Sequence, residues 1–401
     1  MVGTRRYPTT SSLLSIPLCS PCLSEDGGVG TQWMMEAAGG CIRDLCDGVL
    51  ADILARLPSA SVLRCRVVCK SWRRVTTHRS FLAAHAARRP REMILRPQFY
   101  PKAVSTRQRL LSFHPCCDGF VFERYSLDGL LVRMQHSGLF AICNPTTRQW
   151  TNLPALTPEP CCSAGSGCGF YLHRSSGEYR LLCDGIERNE AAGSNPELRR
   201  YYYIIAASTA RPRRLARAPS NPSLLYEAPV AYRGVLHWLY YQPEARRTGK
   251  MLAFDTEAET FRHMSQPIDR DTKRNLFELD GCLGVAAVKS LTSLDIWVLE
   301  DYKMERWELR HRIDNLPMPR LYYEREVSVS RVISVGSDAI LIGSPGCYVA
   351  RMYDLKEKKV IYRDFELGEA TPTFLVFTES LVRHELFDSC PRSPDLEPID
   401  F

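Results

Sequence analysis

The sequence predicts a small all-α segment followed by an all-β domain of β-propeller type, with about six blades. Three observations carry that prediction. Helical periodicity runs from Asp47 to about residue 90 and then stops; beyond it, short runs rich in Val, Ile, Tyr and Phe alternate with clusters of Gly, Pro, Asp and Asn; and inside that β region a seven-residue pattern recurs.

The helical segment reads element by element. In DGVLADILARLP, Leu50, Ile53, Leu54 and Leu57 fall at i, i+3, i+4 and i+7, with Asp47 placed to cap the helix and Pro58 to end it. In VLRCRVVCKSWRRV, residues 62–75, Val62, Cys65, Cys69 and Trp72 make a second stripe that Val68 and Val75 widen. Arg64, Arg66, Lys70, Arg73 and Arg74 are left on its flanks. A third short helix carries Phe81 and Leu82. A few short helices cannot bury this much apolar surface among themselves, so some of it is expected to meet another protein.

Residues 88–97, opened by RRPRE, read as a linker. In the β region, NPTTRQW (Asn144 to Trp150), DTEAETF (Asp255 to Phe261), DYKMERW (Asp301 to Trp307) and DLKEKKV (Asp354 to Val360) each follow a strand-like run. Each opens on Asp or Asn and closes six positions later on an aromatic or β-branched residue. The physical sense is a hairpin: a short polar side chain accepts from backbone amides in the turn, and the large apolar residue re-enters the sheet. HRSSGEY, His173 to Tyr179, is a weaker copy without the acid. Spacings near fifty residues between the later copies suit blades of four strands; the closer early copies leave the count open.

Composition bounds the function. A formal charge of +7 over 401 residues favours an acidic partner surface without requiring nucleic acid. Sixteen cysteines scattered through a long chain, with no export signal recognised ahead of them, point to a reducing compartment, cytoplasmic or nuclear. No apolar run is long enough to span a bilayer. Residues 1–40 read as a disordered leader, with an organelle transit peptide as the weaker reading and Met34 or Met35 as alternative starts.

Rival chemistry is weaker at each place it arises. Cys65 and Cys69 sit on the apolar stripe without two further ligands, so burial outweighs zinc; Cys19, Cys22, Cys41 and Cys46 only loosely match a zinc ribbon. GSGCGF, residues 165–170, is followed by no helix to hold a phosphate, and His237, flanked in its strand by Leu236, Trp238 and Leu239, reads as structural. No catalytic motif is present, so no catalytic, metal or cofactor residue is assigned and the chain is read as a non-enzyme. The alternative from another class is a basic nucleic-acid-binding protein on a β scaffold, resting on the arginines of residues 63–96 and on RPRRLAR at 211–217.

With both features in hand, the chain resembles a plant F-box protein with a C-terminal F-box-associated domain, kelch-like or propeller-like in fold. DLCDGVLADILARLPSASVLRCRVVCKSWRRV is similar to the F-box pattern, and FAICNPTTRQWTNLP, YRGVLHWL, MLAFDTEAETF, LDGCLGV, LDIWVLEDY and VFTESLV are similar to the associated domain. One departure is Cys46, where the family pattern has Pro after Leu45. The resemblance assigns residues 41–87 to an F-box and 98–384 to the β domain; with the leader at 1–40 and the linker at 88–97, the Pro-rich, partly acidic residues 385–401 read as a disordered tail. The resemblance further implies a non-catalytic substrate receptor of a Skp-cullin-F-box ubiquitin ligase: the F-box docks on a Skp-type adaptor, and through it on cullin and RING subunits, while the β domain holds an unidentified target protein. By the same resemblance, Leu45, Val49, Ile53, Leu57, Pro58, Val68 and Trp72 are the expected adaptor contacts.

Overall fold

A computed structural model describes residues 45–97, 111–112, 122–134, 139–155, 161–163, 167–189, 197–209, 211–216, 228–239, 250–267, 273–290, 292–316, 331–335, 338–343, 350–362 and 370–388. The expected leader, Cys19, Cys22 and Cys41, and residues 389–401 lie outside these.

Four helices come first: α1 (Asp47–Ala55), α2 (Ser59–Cys65), α3 (Lys70–Thr77) and α4 (Arg79–Ala87). The stripe expected to run unbroken through residues 62–75 is interrupted. Residues 66–68 form a turn, and Cys69, in extended conformation, starts α3 by accepting the Trp72 N–H on its sulfur at 3.5 Å. Cys69 is therefore exposed rather than buried, whereas Cys65 packs against the helical core and burial raises its thiol pKa.

The linker expected at 88–97 is mostly strand. β1 (Arg91–Pro97) follows α4 directly and pairs in parallel with β2 (Leu111–Ser112) and antiparallel with β24 (Ala370–Thr378), from Arg91 opposite Thr378 onward. Between them lie five larger sheets. Blade 1 is β3 (Phe122–Leu127), β4 (Leu130–Met134), β5 (Phe140–Asn144) and β6 (Gln149–Asn152). Blade 2 is β7 (Cys161–Ser163) and β8 (Gly167–His173), which pair with successive stretches of β9 (Glu178–Asn189), followed by β10 (Glu197–Ala206) and β11 (Arg213–Arg214). Blade 3 is β12 (Val230–Tyr232), β13 (Val235–Leu239), β14 (Lys250–Asp255) and β15 (Thr260–Ser265). Blade 4 is β16 (Lys273–Leu279), β17 (Cys282–Ser290), β18 (Ser293–Asp301) and β19 (Arg306–Ile313). Blade 5 is β20 (Arg331–Ser334), β21 (Ala339–Gly343), β22 (Ala350–Asp354) and β23 (Lys359–Tyr362).

Buried side chains join each sheet to the next and close the ring. Ile94 and Phe377 of the β1–β24 sheet meet Leu131 and Cys143 of blade 1. Val132 and Ile142 meet Leu181 and Ile205 of blade 2; Leu182 and Ile204 meet Leu236 and Phe254 of blade 3. Met251 and Ala253 meet Leu283 and Val285 of blade 4; Ile296 and Val298 meet Ile340 and Ile342 of blade 5. Leu341 and Ala350 meet Phe374 of β24, which completes the circuit. Among the described residues the propeller thus has five full blades, and a three-stranded sixth sheet closes it by pairing β1 with β24. Inner strands are covered on both faces, which is why FAICN and VLHWL are buried at every position instead of at alternate ones. Outer strands such as β19 are exposed and rich in charge, which discourages pairing with other chains.

The seven-residue pattern is the turn from third to fourth strand in four blades. Asp255, Asp301 and Asp354 each accept two backbone N–H groups on one carboxylate oxygen at 2.7–3.0 Å, and Asn144 accepts the Thr147 N–H at 3.2 Å. The fifth residue of every copy, Arg148, Glu259, Glu305 and Lys358, is left-handed with φ of 51–55°. HRSSGEY forms the same loop with Gly177 in the left-handed position, but it joins the first and second strands of blade 2. The uneven spacing of the early copies follows from that. Asp128-Gly129, Arg233-Gly234 and Asp280-Gly281, all with positive φ, turn the first strands of blades 1, 3 and 4 into the second.

Candidate functional site

The helices place the candidate surface. Leu50, Leu54, Ala55, Val62, Val75 and Phe81 form their core, with Ala51, Leu57, Leu63, Cys65, Trp72 and Leu82 packed around it. Asp47, expected to cap α1, begins it and takes Arg74 as an ion-pair partner at 2.7 Å. Asp52 binds Arg56 at 2.6 Å and Arg88 at 2.9 Å, and these guanidiniums lower its carboxyl pKa, Arg56 foremost. His85 is buried and its Nε2 donates to Leu57 O at 3.1 Å, tying the end of α1 to α4; burial lowers its pKa.

Side chains left outside this core define what is available. Val49 is 47 % exposed, Ile53 45 %, Val67 86 % and Val68 62 %. Half of the exposed large hydrophobics among the described residues are therefore in these short helices and their turn. Val49 and Ile53, four residues apart, share one face of α1; Val67 and Val68 occupy the turn between α2 and α3.

The expected contact residues divide accordingly. Val49, Ile53, Val68 and Pro58 are exposed; Leu57 and Trp72 are half-buried and pack against the helical core; Leu45 is half-buried beside the exposed Cys46. Val67 was not among the expected contacts, because a continuous helix through residues 62–75 puts it off the apolar stripe. Only the break before Cys69 presents it.

The rival sites resolve into structural roles. His237 is fully buried; its Nδ1 donates to Val230 O at 3.2 Å, so its Nε2 accepts from the Tyr302 hydroxyl at 3.0 Å. Burial lowers its pKa to about 4. Gly169 of GSGCGF lies where a Cβ would come 2.6 Å from the Leu236 side chain, so it lets blades 2 and 3 approach. Of RPRRLAR, Arg213 pairs with Glu259 and Arg214 stacks 3.3 Å above the Tyr201 ring. Among the described residues no group of three or more metal-ligating side chains converges.

The F-box-associated beta propeller domain family matches residues 97–373, and the F-box domain family matches residues 42–83. The chain is an F-box protein. Its helices are the F-box, and the ring is the associated propeller. Over 423 residues this F-box protein is 26 % identical to the F-box/kelch-repeat protein At1g15680 of Arabidopsis thaliana, covering 91 % of this chain and 98 % of that one. It is also similar to two F-box proteins of the same plant: At5g49610, 24 % identical over 66 % of this chain and 77 % of that one, and At3g07870, 26 % identical over 69 % and 74 %.

Proposed function

We propose that this F-box protein is a substrate-receptor subunit of a Skp-cullin-F-box ubiquitin ligase, docking on a Skp-type adaptor through its helices and holding a target protein with its propeller. One observation carries the reading: Val49, Ile53, Val67 and Val68 stay exposed on the helices and their turn and belong to no part of the buried cluster beneath them. Covering such side chains is worth roughly 1–2 kcal/mol each. The receptor contributes proximity and no reacting group; it raises the effective concentration of the target near a ubiquitin carrier borne by other subunits.

The test avoids Leu57 and Trp72, whose replacement disturbs the helical core itself. Ile53→Asp and Val67→Asp, singly and together, are measured for adaptor binding by calorimetry, with circular dichroism as the folding control. Each single change weakens binding about tenfold or more, and the double change abolishes it. Unaltered affinity in the folded double variant refutes the docking assignment.

A further inference from the structure

The core of the F-box is not complete within the helices. Its last member is Leu381, 4 % exposed, which follows β24 and lies among Leu50, Leu54, Val62 and Phe81. Ser59, buried at the start of α2, donates its hydroxyl to Glu379 Oε2 at 2.5 Å. Arg66 reaches from the end of α2 to Thr76 O at 3.0 Å and Leu381 O at 3.5 Å.

The same residues hold the propeller. Asn144, fully buried at the end of β5, donates its amide to Ser380 O at 3.1 Å. Gly129 turns directly under Ser380, where a Cβ would meet the serine Cβ at 2.1 Å. Farther on, His384 lies edge-on to Tyr179 with ring centroids 5.2 Å apart, and Leu386 and Phe387 pack on the core shared by blades 1 and 2. Glu385–Phe387, expected to belong to a disordered tail, form a 3-10 turn capped by Asp388.

We propose that residues 379–388 are a strap that makes the F-box and propeller one rigid body, with Glu379, Ser380 and Leu381 as positioning residues that fix how the propeller is presented to whatever docks on the helices. Two chain crossings join the units side by side, since Arg91 pairs with Thr378 where α4 leads into β1 and β24 leads into the strap. A single linker permits swivelling; two paired crossings and a shared hydrophobic plug do not. The consequence for target presentation rests on the adaptor-docking function proposed above, whereas the coupling rests on these contacts alone.

Gly129 and Gly281 provide a matched test. Both have positive φ, +78° and +68°, in the same kind of hairpin, but a Cβ at Gly281 would meet nothing within 4 Å. Hydrogen exchange read by mass spectrometry on the full chain compares Gly129→Ala, Gly281→Ala and wild type. Gly129→Ala is expected to speed exchange in α2 and α3 at least tenfold, although the substitution is in the propeller, and to leave β17 and β18 protected. Gly281→Ala leaves helical exchange as in wild type. Equal helical exchange in all three, or equal acceleration by both substitutions, overturns the proposal. Should Gly129→Ala fail to fold, Glu379→Ala takes its place and must loosen both α2 and β5; loosening of α2 alone also overturns it. With the Skp adaptor bound, Gly129→Ala retains capture but broadens the small-angle scattering distance distribution relative to wild type, and an unchanged distribution counts against rigid presentation. Failure of wild type to bind adaptor defeats the function proposed above while the exchange comparison still decides the strap.

Discussion

Asn144 is an amide where the equivalent turns of blades 3, 4 and 5 have Asp255, Asp301 and Asp354, and the structure says why. All four side chains accept turn amides through an oxygen, but Asn144 must also donate, to Ser380 O at 3.1 Å, from a fully buried position. Asn144→Asp keeps the shape and the acceptor while setting a carboxylate oxygen against a carbonyl. Loss of the hydrogen bond costs about 1 kcal/mol, and an unpaired charge in a buried site adds a few more, so about 3 kcal/mol is expected at neutral pH. The reverse exchange at a solvent-facing turn, Asp255→Asn, retains the oxygen that accepts from Glu257 and Ala258 and should fall within about 0.5 kcal/mol of wild type. Urea midpoints followed by tryptophan fluorescence at pH 7.5 separate the two. Burial raises the pKa of the introduced carboxyl in the folded state, so the folded protein binds its proton more readily than the unfolded chain does. The deficit against wild type at the same pH is therefore full above that raised pKa and shrinks as pH falls through it, where the neutral acid can donate to Ser380. Equal midpoints for the two variants, or a deficit as large at pH 5 as at pH 7.5, would refute the argument.

Acid should weaken the junction of blades 3 and 4 through His237, whose folded pKa of about 4 lies below its ordinary 6.5. The unfolded chain takes up the proton first, so stability falls as pH drops from 6.5 toward 4, by about 2 kcal/mol at pH 5; His237→Gln should show a shallower pH slope in urea melts, and equal slopes exclude this source. Glu259 collects the Tyr171 hydroxyl at 2.8 Å, Arg180 at 2.6 Å and Arg213 from blade 2 while sitting in the turn of blade 3. Glu259→Gln leaves Arg180 paired with Glu178 alone and should cost about 1–2 kcal/mol, read as a lower thermal midpoint with blade 2 exchanging faster; an unchanged midpoint rejects this contact as a tie between the blades. Leu54, 2 % exposed in the F-box core, should cost about 3 kcal/mol as Leu54→Ala, seen as earlier loss of helical circular dichroism on heating, and no shift there would contradict the core assignment.

Local chemistry made much of this architecture readable. Apolar spacing marks α1, and the six-residue interval from Asp or Asn to an aromatic or β-branched residue marks the four hairpins, because a side-chain acceptor and a left-handed fifth residue recur wherever that loop forms. The α2–α3 break is not legible in the residues, because Val62, Cys65, Cys69 and Trp72 keep helical spacing across it and sulfur is an uncommon cap. β1 is hidden for a different reason. Its partner is β24, and a strand defined by a mate far along the chain carries little signal in its own residues. Of the expected docking residues, Val49, Ile53 and Val68 emerged as exposed, whereas Trp72 shows that a large side chain on an amphipathic helix can turn inward instead.

Ser59 and Glu379 touch across 320 positions of sequence, with Leu381 just beyond. During synthesis the helices leave the ribosome long before the leucine that fills them is made. Nascent or prematurely terminated chains therefore carry an unplugged helical module, open at the very spot the strap later seals, and cells translating this message would meet that greasy hollow first.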